Sequence, residues 1–109
     1  MCLGGSDCPV EDFSPWKGMY AATTRKDLTG YPSGGYHPEE DVSIYEAACM
    51  FSKNIPYATG DEDYMGTLEP GKFADMIVID RDIFENEPED LLNVNVLKTY
   101  LAGDEVYSV

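Results

Sequence analysis

Residues 66–80 read Gly66-Thr67-Leu68-Glu69-Pro70-Gly71-Lys72-Phe73-Ala74-Asp75-Met76-Ile77-Val78-Ile79-Asp80. The first half is turn chemistry, with two glycines and a proline within six residues. The second half is a short continuous apolar run, Met76 to Ile79, bounded by Asp75 and Asp80. Such a run predicts a strand covered on both faces. The stretch therefore marks where the chain turns from helical to β periodicity.

Downstream of it, Asp82 to Asn93 is acidic and contains Pro88, which predicts a loop with at most one helical turn. Val94 to Leu101 predicts a second strand. Gly103-Asp104 predicts a two-residue hairpin turn, and Glu105 to Val109 the returning strand.

Upstream, the pattern is helical. Ser43-Ile44-Tyr45-Glu46 has the spacing of a capping box, in which the serine takes a backbone N–H and the glutamate reaches back. Ile44, Ala47, Ala48 and Phe51 form the apolar stripe of that helix. Pro56 is expected to kink or stop it, with Tyr57-Ala58-Thr59 adding a turn before Gly60. An earlier helix starts at Ser14 as N-cap with Pro15 in the first position. Trp16, Met19, Tyr20 and Thr23 share one of its faces, and it ends near Arg25 and Lys26. Asp27 to Asp41, rich in glycine and proline, is a loop long enough to be functional or mobile. Met1 to Gly5 is small and apolar, the possible end of a buried strand, and Gly5-Ser6-Asp7-Cys8-Pro9 is a turn.

Composition bounds the function. The 109 residues hold 7 Lys and Arg against 21 Asp and Glu, a net charge of −14. That balance argues against nucleic acid and anionic membrane surfaces as partners. Apolar residues are 43% of the chain, so it is no low-hydrophobicity disordered tail. No apolar run approaches the roughly 20 residues of a membrane span. The N-terminal stretch has no secretory pattern, and the cytoplasm is the expected compartment. Three cysteines without CxxC spacing suggest free thiols rather than a disulfide framework or a thiolate zinc site.

Two motifs go further. Gly5-Ser6-Asp7-Cys8-Pro9-Val10, followed by Trp16 and Ala21-Ala22-Thr23-Thr24-Arg25, is the first; residues 66–80 are the second. Together they resemble the C-terminal end of a metal-dependent amidohydrolase of the amidohydrolase-3 type, the branch with N-substituted formamide deformylase-like enzymes. The closing Val96 to Tyr107 is similar to that family's final hairpin. The resemblance implies a mixed α and β chain. It would carry the last strand end and final helices of a (β/α)8 metal-dependent hydrolase barrel, plus C-terminal strands of a small β-sandwich-like domain. On this division, residues 1–60 are the end of the barrel and residues 61–109 belong to the small β domain. The remainder of a barrel of ~250 residues would lie elsewhere in the enzyme.

The resemblance also implies chemistry. Asp7 matches the family's acid/base aspartate, which contacts a divalent metal, zinc foremost, and the attacking water. The expected substrate is a small-molecule amide or formamide, with hydrolysis of its C–N bond. Read alone, Asp7 is a common turn former; the resemblance makes it the one catalytic and metal-ligand candidate. His37 has no partner ligands in the sequence and reads as a solvated loop histidine, with a substrate-contacting loop as the alternative. Arg25 reads as a helix-terminal cation or half of an ion pair. Lys72 and Asp75 read as structural residues of the turn into the β segment. Asp61-Glu62-Asp63 and Glu85 to Asp90 lack calcium-loop spacing and read as solvated surface.

With one candidate carboxylate, Asp7, and one histidine, His37, far apart in sequence, the chain alone is expected to hold no catalytic metal tightly and to be inactive. The resemblance also leaves both helices without the barrel they pack on and the strand Met76–Ile79 with an open edge, so the chain alone is expected to self-associate or be only partly ordered. The competing reading is a non-catalytic acidic β-containing module used in packing or assembly.

Overall fold

A computed structural model describes all of residues 1–109. Its elements run α1 (Pro15–Thr24), a 3₁₀ turn (Pro38–Glu40), α2 (Ile44–Met50), α3 (Ile55–Thr59), β1 (Met76–Ile79), a 3₁₀ helix (Pro88–Asn93), β2 (Val96–Leu101) and β3 (Asp104–Ser108). The chain is mixed α and β, with one three-stranded antiparallel sheet in the order β1-β2-β3. No helix is long and apolar enough to cross a membrane.

The capping box forms as expected. Ser43 Oγ accepts from the Glu46 N–H at 3.2 Å, and Glu46 Oε2 accepts from the Ser43 N–H at 2.9 Å. α1 also begins where expected, with Ser14 at the N-cap position and Pro15 first in the helix. Ser14 makes no side-chain cap; its own N–H donates to Asp12 Oδ1 at 2.8 Å. The expected face of α1 is buried at Met19, Tyr20 and Thr23, with Trp16 half-buried. Gly18 sits inside the same helix, where glycine costs about 1 kcal/mol relative to alanine. Pro56 does not kink α2; it lies in the first turn of a separate short helix, where its missing N–H costs nothing.

Met19 and Tyr20 of α1, Ala47 of α2 and Leu91 of the second 3₁₀ helix form the core. Segment 82–93, expected to hold at most one helical turn, thus becomes a six-residue 3₁₀ helix because Leu91 has an apolar pocket to fill. Two further corrections concern the sheet. The turn between β2 and β3 is Ala102-Gly103, both at positive φ (51° and 90°), and not Gly103-Asp104. Asp75 selects this register: its carboxylate accepts the Ala102 N–H at 2.8 Å. β1 is not covered on both faces. Met76, Ile77 and Val78 are 36–48% exposed, because no other element of the chain lies over them or pairs with their outer edge.

The far end of β1 has its own fastening. Asp80 accepts from the Asn95 N–H at 3.0 Å, from Asn95 Nδ2 at 2.8 Å and from Arg81 Nε at 3.0 Å. The Arg81 guanidinium first, then Asn95, hold the Asp80 carboxyl far below the usual carboxylate range. Because the folded-state value is depressed, this stabilisation is fully present above the unfolded value of about 3.9 and is lost as pH falls through the folded one. Asp80→Asn is therefore expected to flatten the acid limb of the stability curve below about pH 4. Urea midpoints measured from pH 7 downwards test this; an unchanged acid limb would contradict it.

Candidate active-site segment

The segment is built from its backbone outwards. Residues 2–4 are tied to the corner after α2: the Gly4 N–H donates to the Met50 carbonyl at 2.8 Å, and Asn54 Nδ2 donates to the Cys2 carbonyl at 3.0 Å. Beyond Ser6 the chain turns. The Val10 N–H donates to the Asp7 carbonyl at 2.9 Å and the Glu11 N–H to the Ser6 carbonyl at 3.2 Å. Asp7 occupies the left-handed region at φ 49°, a conformation aspartate and asparagine tolerate better than most residues. Its side chain is exposed, and its carboxylate takes part in no hydrogen bond or ion pair. It is a carboxylate held outward on a fixed turn, free to meet a group outside this chain.

A cleft of about 600 Å³ lies beside this turn. Gly5 and Ser6, the two residues before Asp7, line it together with Asp12, Phe13, Lys17 and Phe51. Lys17 Nζ bonds Asp12 Oδ2 at 2.6 Å, and with the Ser14 N–H it holds the Asp12 carboxyl below its ordinary value. Sequence reasoning missed this pair and missed Phe51 as a wall of the cleft. The available signal was Gly18, a glycine inside a helix with no turn to explain it.

The other candidates lie apart from Asp7. His37, also left-handed at φ 50°, is exposed; its Nδ1 is 2.8 Å from Glu39 Oε1, and its ring meets Tyr36 edge-on at 4.5 Å. Arg25 caps α1 in the left-handed region and donates Nε–H to the Tyr36 carbonyl at 3.0 Å, while the Tyr36 N–H returns a bond to the Arg25 carbonyl at 2.8 Å. Arg25 thus fastens the 27–41 loop to α1. Lys72 donates to the Glu62 carbonyl at 2.6 Å and pairs with Glu69 at 3.3 Å. Lys72 and Asp75 both fasten turns, the structural part the sequence assigns to them. No group of three or more His, Cys, Asp or Glu side chains converges anywhere. Asp7 therefore belongs to no such group within this chain.

The profile of the Amidohydrolase family matches residues 1–107. This chain belongs to the amidohydrolase family. Within it, the chain is 35% identical to the N-substituted formamide deformylase of Arthrobacter pascens over 98 residues, 90% of this chain and 18% of that protein. It is 30% identical to the amidohydrolase YtcJ of Bacillus subtilis (strain 168) over 107 residues, 98% of this chain and 20% of that protein. Urease subunit alpha of Staphylococcus aureus (strain MRSA252) is 27% identical over 79 residues, 72% of this chain and 14% of that protein. The chain thus spans about a fifth of the length of the first two. No solved structure matches it.

The left-handed turn makes Asp7 separable from the fold. Asp7→Asn is expected to change stability by less than about 0.5 kcal/mol. Asp7→Val, β-branched at positive φ, is expected to cost about 1–2 kcal/mol. Thermal midpoints of the two variants check this; equal losses would show that the Asp7 carboxylate itself supports the turn.

Proposed function

We propose that this chain is the C-terminal part of a metal-dependent hydrolase that cleaves a non-peptide C–N bond, an amide or formamide, in a small molecule. Residues 1–60 are the end of its barrel and residues 61–109 part of its small β domain. The observation that carries this reading is the family match across residues 1–107. Asp7 supports it: an unpaired carboxylate presented outward beside a cleft suits a group that takes a proton from the attacking water and returns it to the leaving nitrogen. A zinc centre takes three or four protein ligands, so the remaining ligands of the divalent metal belong to other parts of the enzyme.

The surface supports the same reading. The accessible area is 7450 Å², against about 6,000 Å² for a folded monomer of this mass. The radius of gyration is 14.7 Å, against about 13 Å for a compact chain near this length. An open apolar groove of about 260 Å³ separates Trp16, Met19 and Phe51 from Ile77, Ile79 and Ile83. In the intact enzyme the remainder of the barrel and its small domain cover the groove and pair with β1.

The test uses the longest polypeptide encoded with residues 1–109, loaded with zinc and offered a panel of amides and formamides. Turnover is expected, and Asp7→Asn is expected to lower kcat by on the order of 10² to 10⁴-fold. Wild-type kcat in a folded Asp7→Asn enzyme would remove Asp7 from the reaction.

Residues 1–109 alone, with the groove and the β1 edge open, are expected to self-associate. Salt screens exposed charges beyond about 8 Å at physiological ionic strength, so the associated fraction is expected to rise with salt. Sedimentation across a salt series reads this directly; a monomer at every concentration and salt would favour a self-contained, non-catalytic module.

A further inference from the structure

Gly4 and Gly18 are far apart in sequence, and neither has the positive φ that would call for glycine. Both face the same ring. A Cβ on Gly18 would lie 2.5 Å from Phe51 Cζ, the tip of the ring. A Cβ on Gly4 would lie 2.5–2.7 Å from Cε2, Cζ and Cδ2, its flank. Real Cβ contacts are never that short, so both glycines are there to admit the ring, and Gly18 does so against its own helix propensity. The segment on the other side is held as well, by the Gly4 N–H on the Met50 carbonyl, the residue next to Phe51. The ring lines both the cleft beside Asp7 and the apolar groove that faces β1.

We propose that Phe51 is a positioning residue: its ring, wedged between Gly18 of α1 and Gly4, sets the place of the Gly4–Ser6 backbone and so of Asp7. The chemistry attached to that position rests on the amidohydrolase reading; the wedge itself does not. The half-buried ring carries Gly18 at its tip and Gly4 along its flank, so a group that displaces the tip presses the flank on the Gly4 backbone. A change on α1 must therefore reach the Asp7 turn through Phe51. Occupation of the groove by the enzyme's other parts would reach the turn by the same ring.

Hydrogen exchange on the full chain tests this. The reporters are the Gly4, Val10 and Glu11 amides, bonded to the Met50, Asp7 and Ser6 carbonyls, with the Ala47 amide of α2 as the reference. Gly18→Ala is expected to speed exchange at the three reporters by about tenfold or more relative to Ala47. Adding Phe51→Leu is expected to undo much of that gain, since the shorter side chain leaves room for the new methyl. No selective change in Gly18→Ala, an equal acceleration at Ala47, or additive effects in the double variant would each overturn the proposal. If Gly18→Ala does not fold, Phe51→Leu alone must speed the Gly4 amide more than the Ala47 amide, and a uniform or absent change overturns it equally. Exchange does not depend on catalysis, so this outcome is separate from the Asp7→Asn assay.

Discussion

The helical half depends on how closely α1 can approach α2, and that distance is set by Ala47. Its side chain is fully buried against Met19 and Tyr20, with Leu91 closing the cluster from the 3₁₀ helix. A larger residue at 47 would separate the helices, and Leu91 would lose its pocket. The other links follow from this approach. The Val42 N–H reaches the Ala22 carbonyl at 3.2 Å, and Lys26 reaches Glu89 at 3.2 Å. Thr23, buried on the same face, turns its hydroxyl back to the Met19 carbonyl at 2.9 Å and so leaves no polar atom unpaired in the contact. A core of this size gives little margin, which is why the polar fastenings elsewhere matter.

The sheet is fastened by charge rather than by burial. Asp75 and Asp80 bracket the four apolar residues of β1, and each carboxylate accepts a backbone N–H from outside the strand, Ala102 at one end and Asn95 at the other. Hydrogen bonds from N–H to an ionised carboxylate are stronger than neutral ones and retain part of that strength at the surface. The two aspartates therefore fix the register of β1 and the turn of the hairpin without help from a covering layer. Lys98 and Glu105, 2.6 Å apart across β2 and β3, add an exposed pair that contributes little on its own.

What the sequence showed plainly was local. The capping box at Ser43 and Glu46, the buried face of α1 and the apolar run at 76–79 each depend on residues within a few positions of one another, and each formed. The misreadings have distant causes. Gly103-Asp104 looks like the hairpin turn until Asp75 bonds Ala102, and segment 82–93 looks irregular until Leu91 finds the core. The candidate site divides in the same way. The Asp7 turn was legible from Gly5-Ser6-Asp7, whereas Phe51 read only as one apolar position on a helix stripe. Its contact with Gly4 joins residues 47 positions apart, beyond any periodicity.

The acidic charge and the open apolar surface are less opposed than the composition suggests. Between Asp75 and Asp80 the chain carries no charge at all, and the two flanking carboxylates are already engaged by the sheet's own N–H groups. The groove beside them is lined by Trp16, Met19, Phe51, Ile77, Ile79 and Ile83, again without a charged side chain. None of the charges behind the net −14 falls on the lining of this groove. A covering surface could bury that face without stranding a carboxylate, which is the condition under which apolar burial is not cancelled by desolvation. Phe51 forms one wall of the groove and rests on Gly4, so a surface that covers the groove would also bear on the backbone that carries Asp7.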